Sequence, residues 1–211
     1  MQSLVDKQIA KIISRKPSID DLIISGTKIS SRNRQVRLEF GDMIRGLALD
    51  KSVEHLKRVG VDNAMINIGG SARTIGTRGD HDWWIGIPDA SGEHNIGSIE
   101  NIDDHSVVTV RAFDKSTGKQ GVVYRHIIDP RTGQPVRDVV SVTVMHDSAL
   151  IANASAVTLH IAGIDNWKKV ADSMDAHKIL LITEDGTLYA SPAMADVIHW
   201  KQGVEFQYLV P

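Results

Sequence analysis

Val139-Val140-Ser141-Val142-Thr143-Val144-Met145, then His146-Asp147-Ser148, then Ala149-Leu150-Ile151-Ala152-Asn153-Ala154-Ser155-Ala156-Val157-Thr158: this stretch decides the fold class. The first seven residues are mostly β-branched and predict a strand. The small-residue run that follows predicts a helix from Ala149 to Ala162, stopped at Gly163. Downstream, Asn166 to Met174 reads as a second helix with Asp165 as its N-cap. Ile179–Thr183 and Thr187–Ala190 then read as a hairpin across Glu184-Asp185-Gly186, because Asp-Gly between apolar runs favours a tight turn.

Upstream the alternation of helix and strand continues. Residues 4–13 carry Leu4, Val5, Ile9, Ile12 and Ile13 and suggest a helix, followed by a break at Pro17-Ser18. Leu22–Ser25 and Gln35–Phe40 look like strands, joined by a polar connection. Residues 41–59 predict a helix whose Met43, Ile44, Leu47, Ala48, Val53, Leu56 and Val59 fall largely on one side, ended by Gly60. Ala64–Ile68 predicts a short buried strand, and Trp83–Ile87, Ile96–Ile99 and His105–Val110 continue the β pattern. Mixed helix and strand without repeat or linker implies an α+β fold in one domain.

The 211 residues suffice for such a domain, and 42% hydrophobic with 24% charged residues is ordinary for a globular chain. A net charge of −2 offers no basic field for nucleic acid. Without cysteine there is no disulfide, thiolate zinc site or cysteine nucleophile, while nine histidines and many aspartates leave nitrogen and oxygen metal ligands available. No run approaches the roughly 20 apolar residues of a membrane helix, so membrane insertion is not expected. The N-terminus shows neither the basic nor the apolar region of a signal peptide. As written, the chain is expected in the cytoplasm, or in the periplasm if a leader was removed.

Four stretches could carry chemistry. His126-Ile127-Ile128-Asp129-Pro130-Arg131-Thr132-Gly133-Gln134-Pro135 crowds an imidazole, a carboxylate and a guanidinium around two prolines, more than a turn requires. His126 could act as base or acid near neutrality, Asp129 could orient it or bind a cation, and Arg131 suits a phosphate. Glu39-Phe40-Gly41-Asp42-Met43-Ile44-Arg45-Gly46 opens a helix, where free N–H groups and Arg45 suit an anion. Asn67-Ile68-Gly69-Gly70-Ser71-Ala72-Arg73 carries paired glycines directly after a strand, and they permit backbone that other residues resist. It lacks the dinucleotide fingerprint. The helix with Asn153 and Thr158 could pack close to another backbone or to a ligand. Each stretch also has a plainer reading: a decorated turn, a helix entry with a solvated Arg, a simple chain reversal, or a buried helix with satisfied polar groups.

Taken together and in order, these segments resemble the ApbE family of flavin transferases, from about residue 35 to the C-terminus. The matches are the helix entry with Gly46 and Asp50, Gly60-Val61-Asp62-Asn63-Ala64 through Gly70, Trp84-Ile85-Gly86-Ile87, and His126 to Pro135. The resemblance implies a single ApbE-like, T-fold-like domain over 1–211, with mixed sheets, packed helices and a divergent part at 1–34. It implies transfer of FMN from FAD onto a Thr or Ser of a target flavoprotein, with release of AMP and with magnesium. It places His126 as base, and Arg45, Asn67, Gly69, Gly70, His126, Ile128, Asp129, Arg131 and Thr132 around the FAD. It places the metal on the Asp42 carbonyl and on positions 153 and 157.

The chain departs from the family at those positions. Arg45 stands where the family has Lys, and Asn153 and Val157 stand where it has Asp and Thr. Val110-Arg111 follows Thr109 in place of a Ser-Gly pair. Members also carry a substantial further N-terminal portion, which helps bind the adenine side of FAD and most of which has no counterpart before residue 35. Two other readings therefore accompany the transferase: a magnesium-dependent FAD pyrophosphatase, and a non-catalytic flavin- or nucleotide-binding or assembly protein on the same scaffold. An exposed apolar face would favour a homo-oligomer or another partner.

Overall fold

The computed structural model describes residues 4–100, 103–114, 124–125 and 127–210. In chain order its elements are α1 (Leu4–Ser14), β1 (Leu22–Ser25), β2 (Lys28–Ser31), α2 (Gly41–Arg58), β3 (Ala64–Ile68), β4 (Ser71–Ile75), β5 (Trp84–Pro88), β6 (Asn95–Glu100), β7 (Ser106–Arg111), β8 (Phe113–Asp114) and β9 (Tyr124–Arg125). They continue with β10 (Ile128–Asp129), β11 (Gln134–Pro135), β12 (Val139–His146), α3 (Ala149–Ala162), α4 (Trp167–Met174), β13 (Lys178–Thr183), β14 (Leu188–Ala190), α5 (Pro192–Ala195), β15 (Ile198–Trp200) and β16 (Gln207–Tyr208). Mixed sheets with packed helices give the expected α+β class. No helix among the described residues is long and apolar enough to cross a membrane.

The chain forms two compact units, Met1–Phe40 with Ile128–Pro135, and Gly41–Ile127 with Val136–Pro211. In the first, a Cβ at Gly133 would lie 2.2 Å from Ile9 and 2.7 Å from Ile13. The β10–β11 hairpin thus lies directly against α1, and Gly133, at φ +68°, is the residue that allows it. The expected strand Gln35–Phe40 is absent. β1 pairs instead with β2 across Gly26-Thr27, where Ser25 faces Lys28. A two-residue turn with Gly26 at φ +58° supplies a nearer partner. The Arg37 side chain meanwhile takes the carbonyls of Arg34 and Val36 at 2.8 and 2.9 Å.

The second unit is built on a seven-stranded sheet, ordered β16-β14-β13-β12-β7-β4-β3 and antiparallel except at β14–β16. Its central strand β12 has seven of eight residues buried, because both faces are covered. On one face Val108, Val142, Val144, Ile179 and Leu181 meet Ala152, Ala156 and Leu159 of α3. On the other, Val107, Val140, Leu180 and Ile182 meet Ile87, Ile99 and Ile198 of the three-stranded sheet β15-β6-β5. Alternate side chains of one strand feed two cores, which is why these strands read as unbroken apolar runs.

Three further expectations need correction. β3 is not buried: it is the sheet's edge, and Asn67 and Ile68 are exposed. α2 spans the predicted residues but buries Gly46, Leu49 and Val53, leaving Met43, Ile44 and Leu47 exposed. Its inward face is chosen by close approach to α3 rather than by bulk. Asp165 does not cap α4; it sits in a 3₁₀ turn, Ile164–Asn166, and Asn166 holds the cap position without a side-chain bond.

Leu181 is fully buried between β12 and the α3 layer. Leu181→Ala is expected to lower unfolding free energy by about 2–5 kcal/mol, measured by chemical denaturation, with an unchanged far-ultraviolet spectrum before the transition.

Candidate functional site

The densest set of expected residues lies where α2, the β3–β4 turn and the start of α3 meet. A Cβ on Gly46 would fall 2.4 Å from the Ala149 carbonyl oxygen and 2.6 Å from the Leu150 Cα. The two helix backbones touch there. That contact leaves the opening N–H groups of α3 facing α2, where Asp50, one turn after Gly46, receives them. Its carboxylate accepts from Ala149 N at 2.8 Å, Leu150 N at 3.1 Å and Ser148 Oγ at 2.8 Å. Ser148 in turn caps α3 by accepting from Ile151 N.

Arg73 of β4 brings cationic charge to the same carboxylate, 3.0 Å from Asp50, and reaches Asp104 at 3.1 Å and the Asp147 carbonyl. Lys57 meets Asp104 at 2.7 Å. Burial pushes the Asp104 carboxyl up, but Lys57 and Arg73 outweigh it and hold the group below the usual carboxylate range. Sequence reasoning placed Arg73 and Ser148 within candidate stretches but gave no role to them or to Asp50. The readable signal was Gly46 and Asp50 at i and i+4, which puts a gap and an acceptor on one helix face.

The Gly69-Gly70 pair has a local explanation. Ile68 faces Ser71 across a two-residue hairpin loop, and the glycines sit at φ +56° and +90°. Positive φ at both central positions is the signature of a type I′ turn. Gly70 is constrained further, since a Cβ there would lie 2.9 Å from the Thr109 carbonyl oxygen. The Arg45 guanidinium stands over this turn, donating to the Gly69 carbonyl at 3.2 Å while pairing with Asp42. Asn67 is exposed beside it on β3.

Asn153 lies inside the same junction with no exposed surface. Its amide nitrogen donates to the Ala149 carbonyl at 2.8 Å, and its Oδ1 accepts from Ser71 Oγ at 2.9 Å. Val157, one turn on, packs partly buried against the helix–sheet core. Neither side chain turns an oxygen outward. Among the described residues no three His, Asp or Glu side chains gather into a group able to hold a metal ion. The donor set at 153 and 157 therefore does not suit a divalent cation, which prefers several oxygen ligands, carboxylates above all.

Ile128, Asp129, Arg131 and Thr132 belong to the other unit, and His126 lies outside the described residues. Within their own hairpin the polar groups close on one another. Asp129 accepts from the Arg131 backbone N at 2.8 Å and pairs with its guanidinium through both oxygens, at 2.9, 3.1 and 2.8 Å. Thr132 Oγ1 accepts from Gln134 N at 3.2 Å. The Arg131 guanidinium holds the Asp129 carboxyl below its usual range against the opposing effect of burial, and Asp129 holds Arg131 above its own.

Against this geometry the comparisons are decisive for kinship. The ApbE family model matches residues 2–181. The chain belongs to the ApbE family. An FAD:protein FMN transferase of Rhodobacter capsulatus is 33% identical over 189 residues, covering 90% of this chain and 36% of that protein. One from Vibrio cholerae is 30% identical over 172 residues, covering 80% and 52%. The chain thus spans about half or less of the length of these two relatives. Among solved structures, the ApbE protein of Thermotoga maritima superposes with a TM-score of 0.79 at 24% identity, over 93% of this chain and 65% of that one. The flavin transferase ApbE of Vibrio cholerae gives 0.73 at 28%, over 91% and 62%.

Two expectations follow from the site. Asp50→Ala strands the first amides of α3 and should cost about 1–3 kcal/mol of stability, measured by denaturant titration. The second concerns pH. A depressed native carboxyl pKa contributes stability that is present above the unfolded value, about 4, and is lost as pH falls through the lower native value. Arg131→Ala should therefore raise the Asp129 pKa toward that unfolded value, as followed by carboxyl carbon NMR, and shift the acid limb of hairpin stability to higher pH.

Proposed function

We propose that this chain serves FMN transfer from FAD to a Ser or Thr hydroxyl of a target flavoprotein, with AMP as the other product. The observation that carries this reading is its kinship to FAD:protein FMN transferases across most of its length. The guanidinium of Arg45 over the β3–β4 turn supports it. In the reaction the hydroxyl oxygen attacks the flavin-side phosphorus, a new P–O bond forms, and the bond to the AMP phosphate breaks. His126 takes the hydroxyl proton. Arg45 neutralises charge on the diphosphate, and Asn67, Gly69 and Gly70 border it. Positioning and fixed charge supply most of the acceleration in such a transfer. Magnesium, when bound in such an enzyme, screens the diphosphate; since positions 153 and 157 do not suit it, no step here runs through it.

A second reading, binding of a flavin nucleotide without turnover, is favoured by the closed hydrogen bonds of Asn153. Free FMN and AMP without a target would instead mark a pyrophosphatase. The test is titration of the purified chain with FAD, then chromatography for AMP and in-gel flavin fluorescence of a candidate target. Transfer predicts binding, AMP release and a labelled target. His126→Ala should abolish release while leaving binding in place, and Arg45→Ala should weaken binding roughly tenfold or more, the loss of one charge-assisted contact. Absence of FAD binding would overturn the reading. Binding without AMP would select the second.

A further inference from the structure

Asn153 is a fully buried polar side chain in the middle of a helix, and its orientation is fixed by its partners. The Ala149 carbonyl can accept but cannot donate, so the amide nitrogen must face it, at 2.8 Å. That leaves Oδ1 toward Ser71 Oγ, 2.9 Å away and 82 residues distant in sequence. The bond pins α3 to β4 directly after the Gly69-Gly70 turn on which Arg45 rests. A carboxylate at this position would set a charged oxygen against the Ala149 carbonyl oxygen, with no water to screen it. The local geometry thus selects a donor where a cation ligand would have to be an acceptor. Val157 completes the pattern by packing an isopropyl group against the core. Nearby, Asp50 ties α2 to the start of α3 by accepting from the Ala149 and Leu150 amides.

We infer that the Ser71–Asn153–Ala149 hydrogen-bond chain replaces a divalent cation as the tie between α3 and the diphosphate turn. Nucleotide binding at this turn is accordingly independent of divalent metal. The second statement rests on the proposed flavin site; the first does not. The tie between α3 and β4 is made by neutral groups, and fixed positive charge near the turn comes from Arg45.

The test separates the two. Thermal unfolding of the full chain is measured in excess EDTA and in millimolar magnesium chloride, with manganese-enhanced water relaxation reporting cation binding directly. The wild-type midpoint should not move, and manganese should show no tight site. Ser71→Ala should lower the midpoint equally in both conditions. Asn153→Asp with Val157→Thr should be less stable than wild type in EDTA and regain stability on adding magnesium, because an ion that binds the folded state stabilises it by mass action. If that double variant does not fold, the wild-type and Asn153→Ala measurements still decide. A wild-type midpoint raised by magnesium, with the rise lost in Asn153→Ala, would overturn the inference. FAD affinity is then compared with and without EDTA: a change within about twofold is expected, well under the effect of a bound partner at saturation. A tenfold loss in EDTA would refute metal independence. No FAD binding in either condition would refute the flavin site and leave the stability result standing.

Discussion

The contact on which the second unit depends is the approach of α2 to α3 at Gly46. Two helix backbones can touch only where a side chain is missing, and Gly46 is that gap against Ala149 and Leu150. Contact so close excludes water from the first amides of α3, which then need an acceptor from the protein. Asp50 is one helical turn away on the same face and accepts from two of them, with Ser148 and Arg73 completing its shell. The same pair of residues therefore sets the interhelical distance and meets the hydrogen-bonding demand which that distance creates. Arg45, adjacent to the gap, is carried with it to the β3–β4 turn.

The sheet supplies the rigid floor for that junction. β12 lies between β7 and β13 with apolar layers above and below, so its register is fixed twice over. α3 packs on the same strands through Ala152, Ala156 and Leu159. The small residues that look like a ligand-binding feature are thus required by packing. Ser71 reaches Asn153 only because β4 is hydrogen-bonded to β7 and β7 to β12.

These relations explain which parts of the molecule could be read from the chain. β12, α3 and the β13–β14 hairpin were legible because local preference and burial agree there. The extent of α2 was legible too, but not its inward face. Apolar periodicity pointed to Met43, Ile44 and Leu47 along with Val53, whereas the buried positions are Gly46, Leu49 and Val53. A pattern that scores bulk cannot see an interface defined by the absence of a side chain. Gln35–Phe40 alternates like a strand yet does not form one, because β1 pairs with β2 across its own two-residue turn and pairing decides strands. The candidate site was legible as a set of stretches. The interior role of Asn153 and the partners of Asp50 were not, because they depend on residues far apart in sequence.

Local explanations for polar residues do not by themselves weaken a functional reading; their strength matters. The Gly69-Gly70 turn is a conformational requirement and would exist without any ligand. The pair Asp42–Arg45 is different. Both side chains keep substantial solvent access, 39% for Arg45 and 27% for Asp42, and ion pairs so exposed contribute about 0–1 kcal/mol. A diphosphate carries more charge than one carboxylate and offers bidentate acceptance to a guanidinium. Exchange of Asp42 for such a ligand therefore costs little and gains a stronger partner, while the Gly69 carbonyl keeps the guanidinium aimed at the turn. A buried, fully bonded Arg could not make that exchange, and an unpaired one would have to be ordered on binding. The half-exposed pair combines a preset direction with a readily released charge, the combination that reversible capture of an anionic nucleotide requires.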